Sequence, residues 1–195
     1  MIRRYTEEEM LAYWKRRLGL AVSPAVTGVE DNNGLDRKLI DDIRVWYADI
    51  LQNAPPQLVN CENLADEATA EIIGDNCMAV TLPERGTRLV SVRLKAWETP
   101  VTRMVRPESP VAALQTDPLT RATVDDPVVV EGTHRLFLYG LPLTMEADVE
   151  EAGGARVPPH RPLPGIASLE MTAWPTDGTY VFDPGLLRHS RLLLS

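Results

Sequence analysis

Apolar residues recur at helical spacing in two early stretches of the chain and at strand spacing across most of the remainder. The first helical stretch opens on Thr6-Glu7-Glu8-Glu9, a capping box in which the Thr6 hydroxyl serves the first turn and Glu9 reaches back. Met10, Leu11, Trp14 and Leu18 then share a face, and Gly19 stops the helix. A helix this short is marginal alone, so it must pack on its own domain or on a neighbouring subunit. Residues 20–34 read as a loop, with turn chemistry in Asp31-Asn32-Asn33-Gly34. That turn lacks the alternating ligands and closing Glu of a calcium loop. A second helix is expected from Leu35 to Asn53, where Leu35, Leu39, Ile43, Trp46, Tyr47, Ile50 and Leu51 form one stripe. Pro55-Pro56 ends it.

Beyond Pro56 the period shortens. Ala68–Ile73 and Cys77–Leu82 read as strands joined across Gly74-Asp75-Asn76. Arg88 to Trp97 alternates, with Val90, Val92, Leu94 and Ala96 on a buried face and Ser91, Arg93 and Lys95 on a solvated one. Val101–Val105 is a candidate strand, and Ser109 caps a short helix with Pro110 at its first position. Val128–Val130 and Arg135–Tyr139 form a second hairpin across Gly132-Thr133. Residues 151–165 hold Gly153-Gly154 and four prolines from Pro158 to Pro164, the pattern of a linker or arm. Strand character returns at Ser168–Trp174 and Tyr180–Phe182, and Pro184–Leu194 reads as a short terminal helix.

These elements give an α+β fold class: N-terminal helices, then a mainly antiparallel, sandwich-like β body, a Pro-rich arm and C-terminal strands. The corresponding segments are residues 1–56, 57–150, 151–167 and 168–195. At 195 residues the chain can bury a sizeable core without disulfides or metals. Its N-terminus has no apolar signal-peptide core, and no run is apolar for long enough to span a membrane.

Charge changes the picture little. The net charge is −8, so the basic footprint of a nucleic-acid binder is missing overall, and no specific nucleic-acid binding is expected. Lysine occurs only at Lys15, Lys38 and Lys95, and the other basic residues are arginines, which suit carboxylate pairing at interfaces as well as a solvated exterior. Cys61 and Cys77 permit one bridge, but their spacing matches no metal or redox motif, and free thiols are expected.

The search for chemistry yields no catalytic, cofactor-binding or metal-ligating residues. His134, His160 and His189 have no partner at metal-ligand spacing. No nucleophile elbow or phosphate loop occurs, and Asp41-Asp42, Asp125-Asp126 and Glu150-Glu151 are consecutive pairs whose side chains diverge. An enzyme would need a site assembled in space, around Cys61, Cys77 or His134. Trp46 and Trp97 read as core anchors. Trp14 reads equally as core or as an anchor between subunits, and Arg17, Pro162 and Arg188 complete a set of possible inter-subunit contacts.

Two blocks carry a family resemblance. One is Asp31-Asn32-Asn33-Gly34-Leu35-Asp36 with Trp46-Tyr47 and Ala54-Pro55-Pro56. The other runs through Leu82-Pro83, Arg88–Leu94, Trp97, Pro100-Val101, Ser109-Pro110 and Gln115 to Pro127-Val128-Val129. Together, over roughly residues 30–140, they resemble small virion proteins of tailed phages and prophages of gut Bacteroidales, including crAss-like phages. The resemblance implies a non-enzymatic head-to-tail connector or tail-associated ring component without cofactors. Such a protein is made in the bacterial cytoplasm and resides in the virion. Its partners are copies of itself and portal or other tail proteins, with no membrane. The alternative of a different class is a dimeric ligand- or peptide-binding module of a mobile element or host.

Overall fold

A computed structural model describes residues 1–20, 32–142 and 165–190. The order of elements is β1 (Arg3–Tyr5), α1 (Glu7–Arg17), α2 (Asn32–Asn53), a 3-10 turn at Pro56–Leu58, β2 (Cys61–Asn63), β3 (Thr69–Gly74), β4 (Cys77–Thr81) and β5 (Gly86–Leu94). Next come α3 (Pro110–Ala113) with a 3-10 turn at Leu114–Thr116, β6 (Val128–Glu131), β7 (Arg135–Tyr139), β8 (Ile166–Ala173), β9 (Tyr180–Phe182) and α4 (Gly185–His189). The protein is α+β, with N-terminal helices followed by a mainly antiparallel β body.

The chain divides into two compact units that do not follow its linear order. The first comprises Met1–Glu62, Glu84–Leu89 and Met171–Ser195, and the second Asn63–Pro83 and Val90–Glu170. The C-terminal strands therefore belong partly with the N-terminal helices, whereas the sequence pattern sets residues 168–195 apart.

In the first unit α1 and α2 pack around a cluster that includes Met10, Trp14, Ile43, Trp46, Tyr47 and Phe182. β9 is buried along its whole length and pairs antiparallel with β1, Arg3 opposite Phe182 and Tyr5 opposite Tyr180. Thr172, fully buried, donates its hydroxyl to Leu51 O at 2.8 Å and accepts from Arg88 N at 3.1 Å. One short side chain thus ties a helix to two strands.

The second unit is built on a four-stranded antiparallel sheet of order β3–β4–β7–β6. Its central strand β4 is buried at Cys77, Met78, Ala79 and Val80. Asn76, at the tight turn before β4, is 8% exposed and serves three backbone groups. Its amide donates to Ala122 O at 2.8 Å, and its carbonyl accepts from Gly140 N and Leu141 N at 3.2 and 2.9 Å. Trp97 Nε1 donates to Gly140 O at 2.8 Å, and Gln115 Oε1 accepts from Ala122 N at 2.8 Å.

Several expectations change. Asn32, Asn33 and Gly34 are the first turn of α2 and not a loop turn; first-turn amides need no helical partner, so weak helix formers cost little there. Ser91 is buried, 5% exposed, where the alternation placed it on a solvated face. Its hydroxyl donates to Glu170 Oε2 at 2.9 Å, so the polar atom is satisfied without solvent. Val101–Val105 is not a strand. Val101 makes one antiparallel bridge to Val92, and Val105 one parallel bridge to Val130. Strand β1 has no counterpart among the elements the sequence predicts. The Pro-rich arm with Pro162, and residues 192–194 of the terminal helix, lie outside the described residues.

Gly140 carries a measurable constraint. Its φ is +94°, and a Cβ there would stand 2.3 Å from Thr123 O, a backbone atom that cannot swing aside. Gly140→Ala is expected to destabilise the protein by about 3 kcal/mol. Gly178→Ala, with φ of +71° but nothing within 4 Å, should cost only about 1 kcal/mol. Thermal melts of the two variants check the difference.

Candidate interaction surface

Helix α1 is set at both ends. Thr6 Oγ1 accepts from Glu9 N at 3.2 Å and Glu9 Oε2 accepts from Thr6 N at 2.8 Å, the capping box the sequence predicts. Glu7–Glu9 fill the first turn and Lys15–Arg17 the last, matching the helix dipole. Gly19, with φ of +70°, ends it. Two ion pairs fix α1 to α2: Lys15 Nζ to Asp36 Oδ1 at 2.6 Å, and Arg44 Nη2 to Glu7 Oε2 at 2.9 Å.

Beneath α1 lies a chain of aromatic contacts. Trp14 meets Trp46 edge-to-face at 6.0 Å, Trp46 meets Phe182 at 5.2 Å, and Phe182 stacks on Tyr5 at 5.0 Å. Tyr47 meets Trp174 and Tyr180 at 4.8 and 5.1 Å. Geometries of this kind add about 0.5–1.5 kcal/mol per pair beyond area burial. The Tyr47 hydroxyl accepts from Val181 N at 3.1 Å and donates to Val181 O at 3.4 Å. Burial pushes the Tyr47 phenol up to about 12, against the opposing pull of that backbone bond.

The outer side of α1 forms, with β1 and α4, a concavity of about 270 Å³. Met10 and Leu187 form its buried floor, Tyr5, Ala12 and Tyr13 its half-buried walls, and Glu9 and Arg16 are exposed charges of opposite sign. Such a volume lies just below the roughly 300–1,000 Å³ of small-molecule sites. It holds one or two protein side chains, and tyrosine and arginine are residue types that dominate protein–protein contacts.

The sequence-derived contact residues divide here. Trp14 is 1% exposed and belongs to the core of its own chain. Arg17 is turned onto its own chain as well: its guanidinium donates to Leu187 O, to Ser190 O at 2.8 Å and to Tyr13 OH at 3.3 Å. It also lies 5.1 Å from the centre of the Trp14 ring. Arg188 is exposed on α4. Sequence reasoning missed Glu9, Tyr13 and Arg16, although their i, i+4, i+7 spacing marks one helical face. Tyr5 and Leu187 carry no such signal, because strand pairing and the Arg17 contacts bring them in.

Of the thiols and histidine named as alternatives, Cys61, exposed and in no disulfide, belongs to the first unit, and Cys77 and His134 belong to the second, where they do not converge. Cys77 sits opposite Tyr139, and Arg135 sits opposite Thr81, so His134 lies at the far end of the β4–β7 ladder. At about 3.3 Å per residue that is more than 13 Å away. Burial raises the Cys77 thiol, the reverse of what a nucleophile requires. Among the described residues, no three His, Cys, Asp or Glu side chains group as a metal site, and no helix is long and apolar enough to cross a membrane.

Comparison with known families and with curated proteins finds no match to this chain. The reading of the surface therefore rests on its own residues.

Trp14→Ala should cost about 3–5 kcal/mol of stability, as a large buried side chain does, measured by denaturant unfolding. The alkaline limb of stability tests Tyr47. An unfolded tyrosine loses its proton near pH 10 and the folded Tyr47 only near 12, so the unfolded state binds fewer protons in that window. Stability holds below about pH 9 and falls between about pH 10 and 12. Tyr47→Phe should remove part of that fall while costing about 1–3 kcal/mol at neutral pH, because Val181 N loses its acceptor.

Proposed function

We propose that this chain is a non-enzymatic structural protein of a tailed phage or prophage. In this reading it is a head–tail connector or tail-associated ring component that works by docking protein neighbours. The observation that carries the docking role is the concavity on α1, where half-buried Tyr5, Ala12 and Tyr13 stand beside exposed Glu9 and Arg16 on a tightly held helix. A side chain entering it meets groups already fixed by the capping box and two ion pairs, so little ordering entropy opposes binding. The phage assignment is supported by the paired blocks at Asp31–Pro56 and Leu82–Gln115. The partners are further copies of the chain and the portal or an adjacent tail protein. The protein then acts in the virion after synthesis in the bacterial cytoplasm.

The test is to purify the full chain, alone and with a tailed-phage portal protein from the same genome, and measure assemblies by native mass spectrometry and negative-stain microscopy. A ring, or a complex with the portal, is the expected result. Arg16→Glu and Tyr13→Ala should each weaken it about tenfold or more, without shifting the far-UV spectrum. The reading is overturned if the chain neither self-associates nor binds the portal, or if assembly ignores both substitutions.

A further inference from the structure

The four-stranded sheet of the second unit has two edges, and they differ. At β6, Val105 N donates to Val129 O and Val105 O accepts from Glu131 N, both at 2.9 Å. These two bonds take Val129 O and Glu131 N on the outer side of that strand and lay Val105 along it. Among the described residues, the only ladder at β3 is the one to β4, and no hydrogen bond reaches its outer side. Thr69 and Glu71 are exposed, and Ile73 is 52% exposed.

Edge strands are ordinarily guarded by lysine, proline, strong twist or cover. The run Thr69-Ala70-Glu71-Ile72 has no lysine or proline. Its one charge, Glu71, is balanced by Arg135 at 3.3 Å. A register shift between Ile72 and Gly74 limits the regular edge to this run. We propose that β3 is a self-pairing edge, on which a second copy of this chain docks its own β3 and joins the two four-stranded sheets.

Because Val105 lies along the opposite edge, the sheet-to-sheet contact proposed between copies is edge to like edge. Such a contact has two-fold symmetry and pairs the strands antiparallel. Opposed residues of an antiparallel pair point to the same face, so the axis must pass through a residue and not between two. Centred on Glu71, the pairing sets two carboxylates directly opposite each other, which is destabilising. Centred on Ala70, it sets each Thr69 hydroxyl against the partner's carboxylate at position 71 and extends the half-buried Ala70–Ile72 face across the axis. The Ala70 register is therefore the one selected. β3 lies in the second unit and α1 in the first, so separate substitutions probe the two.

Sedimentation of the full chain over a concentration series tests it, with a charge pair at Thr69 that leaves buried residues untouched. Thr69→Glu places like charges across both symmetric pairs and should weaken the dimer roughly fivefold. Thr69→Lys places opposite charges there and should tighten it by about the same factor. Arg16→Glu should leave this dimer unchanged, which separates it from assembly through α1. A chain that stays monomeric at every concentration overturns the inference. So does an oligomer that the two Thr69 substitutions leave unchanged or shift in the same direction.

Discussion

One hydroxyl decides where the helical unit places its surface. β9 is three residues long and wholly buried, so each of its backbone groups needs a partner inside the protein. The Tyr47 oxygen accepts from Val181 N at 3.1 Å and donates at 3.4 Å to Val181 O, which also accepts from Asn60 N at 3.0 Å. That fixes α2 against β9. β9 in turn fixes β1, residue opposite residue, and the residue after β1 is Thr6, the cap of α1. The position of Tyr13 and Arg16 on the outer side of α1 is thus several steps downstream of a phenol that never touches them.

The second unit solves the same problem with an amide. Where β4 begins and β7 ends, the ladder leaves Gly140 N, Leu141 N and Ala122 O without strand partners, and Asn76 takes all three. Gly140 can approach only because it lacks a Cβ, and Trp97 closes the same point from its Nε1. In both units a side-chain polar group satisfies backbone groups that a strand ladder leaves unpaired, at the middle of β9 in the first and at the end of β4 and β7 in the second. Buried unpaired amides cost about 1–3 kcal/mol each, so few such atoms outweigh many interchangeable apolar contacts in specifying one arrangement.

The same dependence on distant partners separates what is legible in the sequence from what is not. The capping box at Thr6 and Glu9, the stripe of α2 and the hairpin pairs β3–β4 and β6–β7 are visible because their partners lie within a few residues or one turn. β1 is not visible: three residues have no period, and the strand exists because Phe182 lies opposite Arg3 across almost the whole chain. Ser91 misleads because alternation assigns a polar residue to water, while Glu170, distant in sequence, supplies its acceptor. Asn32 to Gly34 mislead because turn residues are also tolerated in a first helical turn. The concavity is half legible, through Glu9, Tyr13 and Arg16 on one face, and half not, because Tyr5 and Leu187 arrive by long-range pairing.

The fate of the N-terminal tryptophan and its neighbouring arginine sharpens the docking reading further. An aromatic residue and an arginine on a short helix suggest an anchor for a partner, yet Trp14 fills the core and Arg17 serves the carbonyls of Leu187 and Ser190. Those two residues build the surface from beneath. Arg17 holds α4, and with it the buried Leu187 that floors the concavity, against the end of α1. The charge left facing outward is Arg16, which is exposed, beside a Glu9 carboxylate that has committed one oxygen to the cap. On the proposed docking role, a suited partner would present an apolar knob to Tyr5, Ala12 and Tyr13 with an acidic group beside it. A basic group there would meet Arg16 and find Glu9 only partly available, so on that proposal charge would select the partner while the half-buried walls supplied contact area.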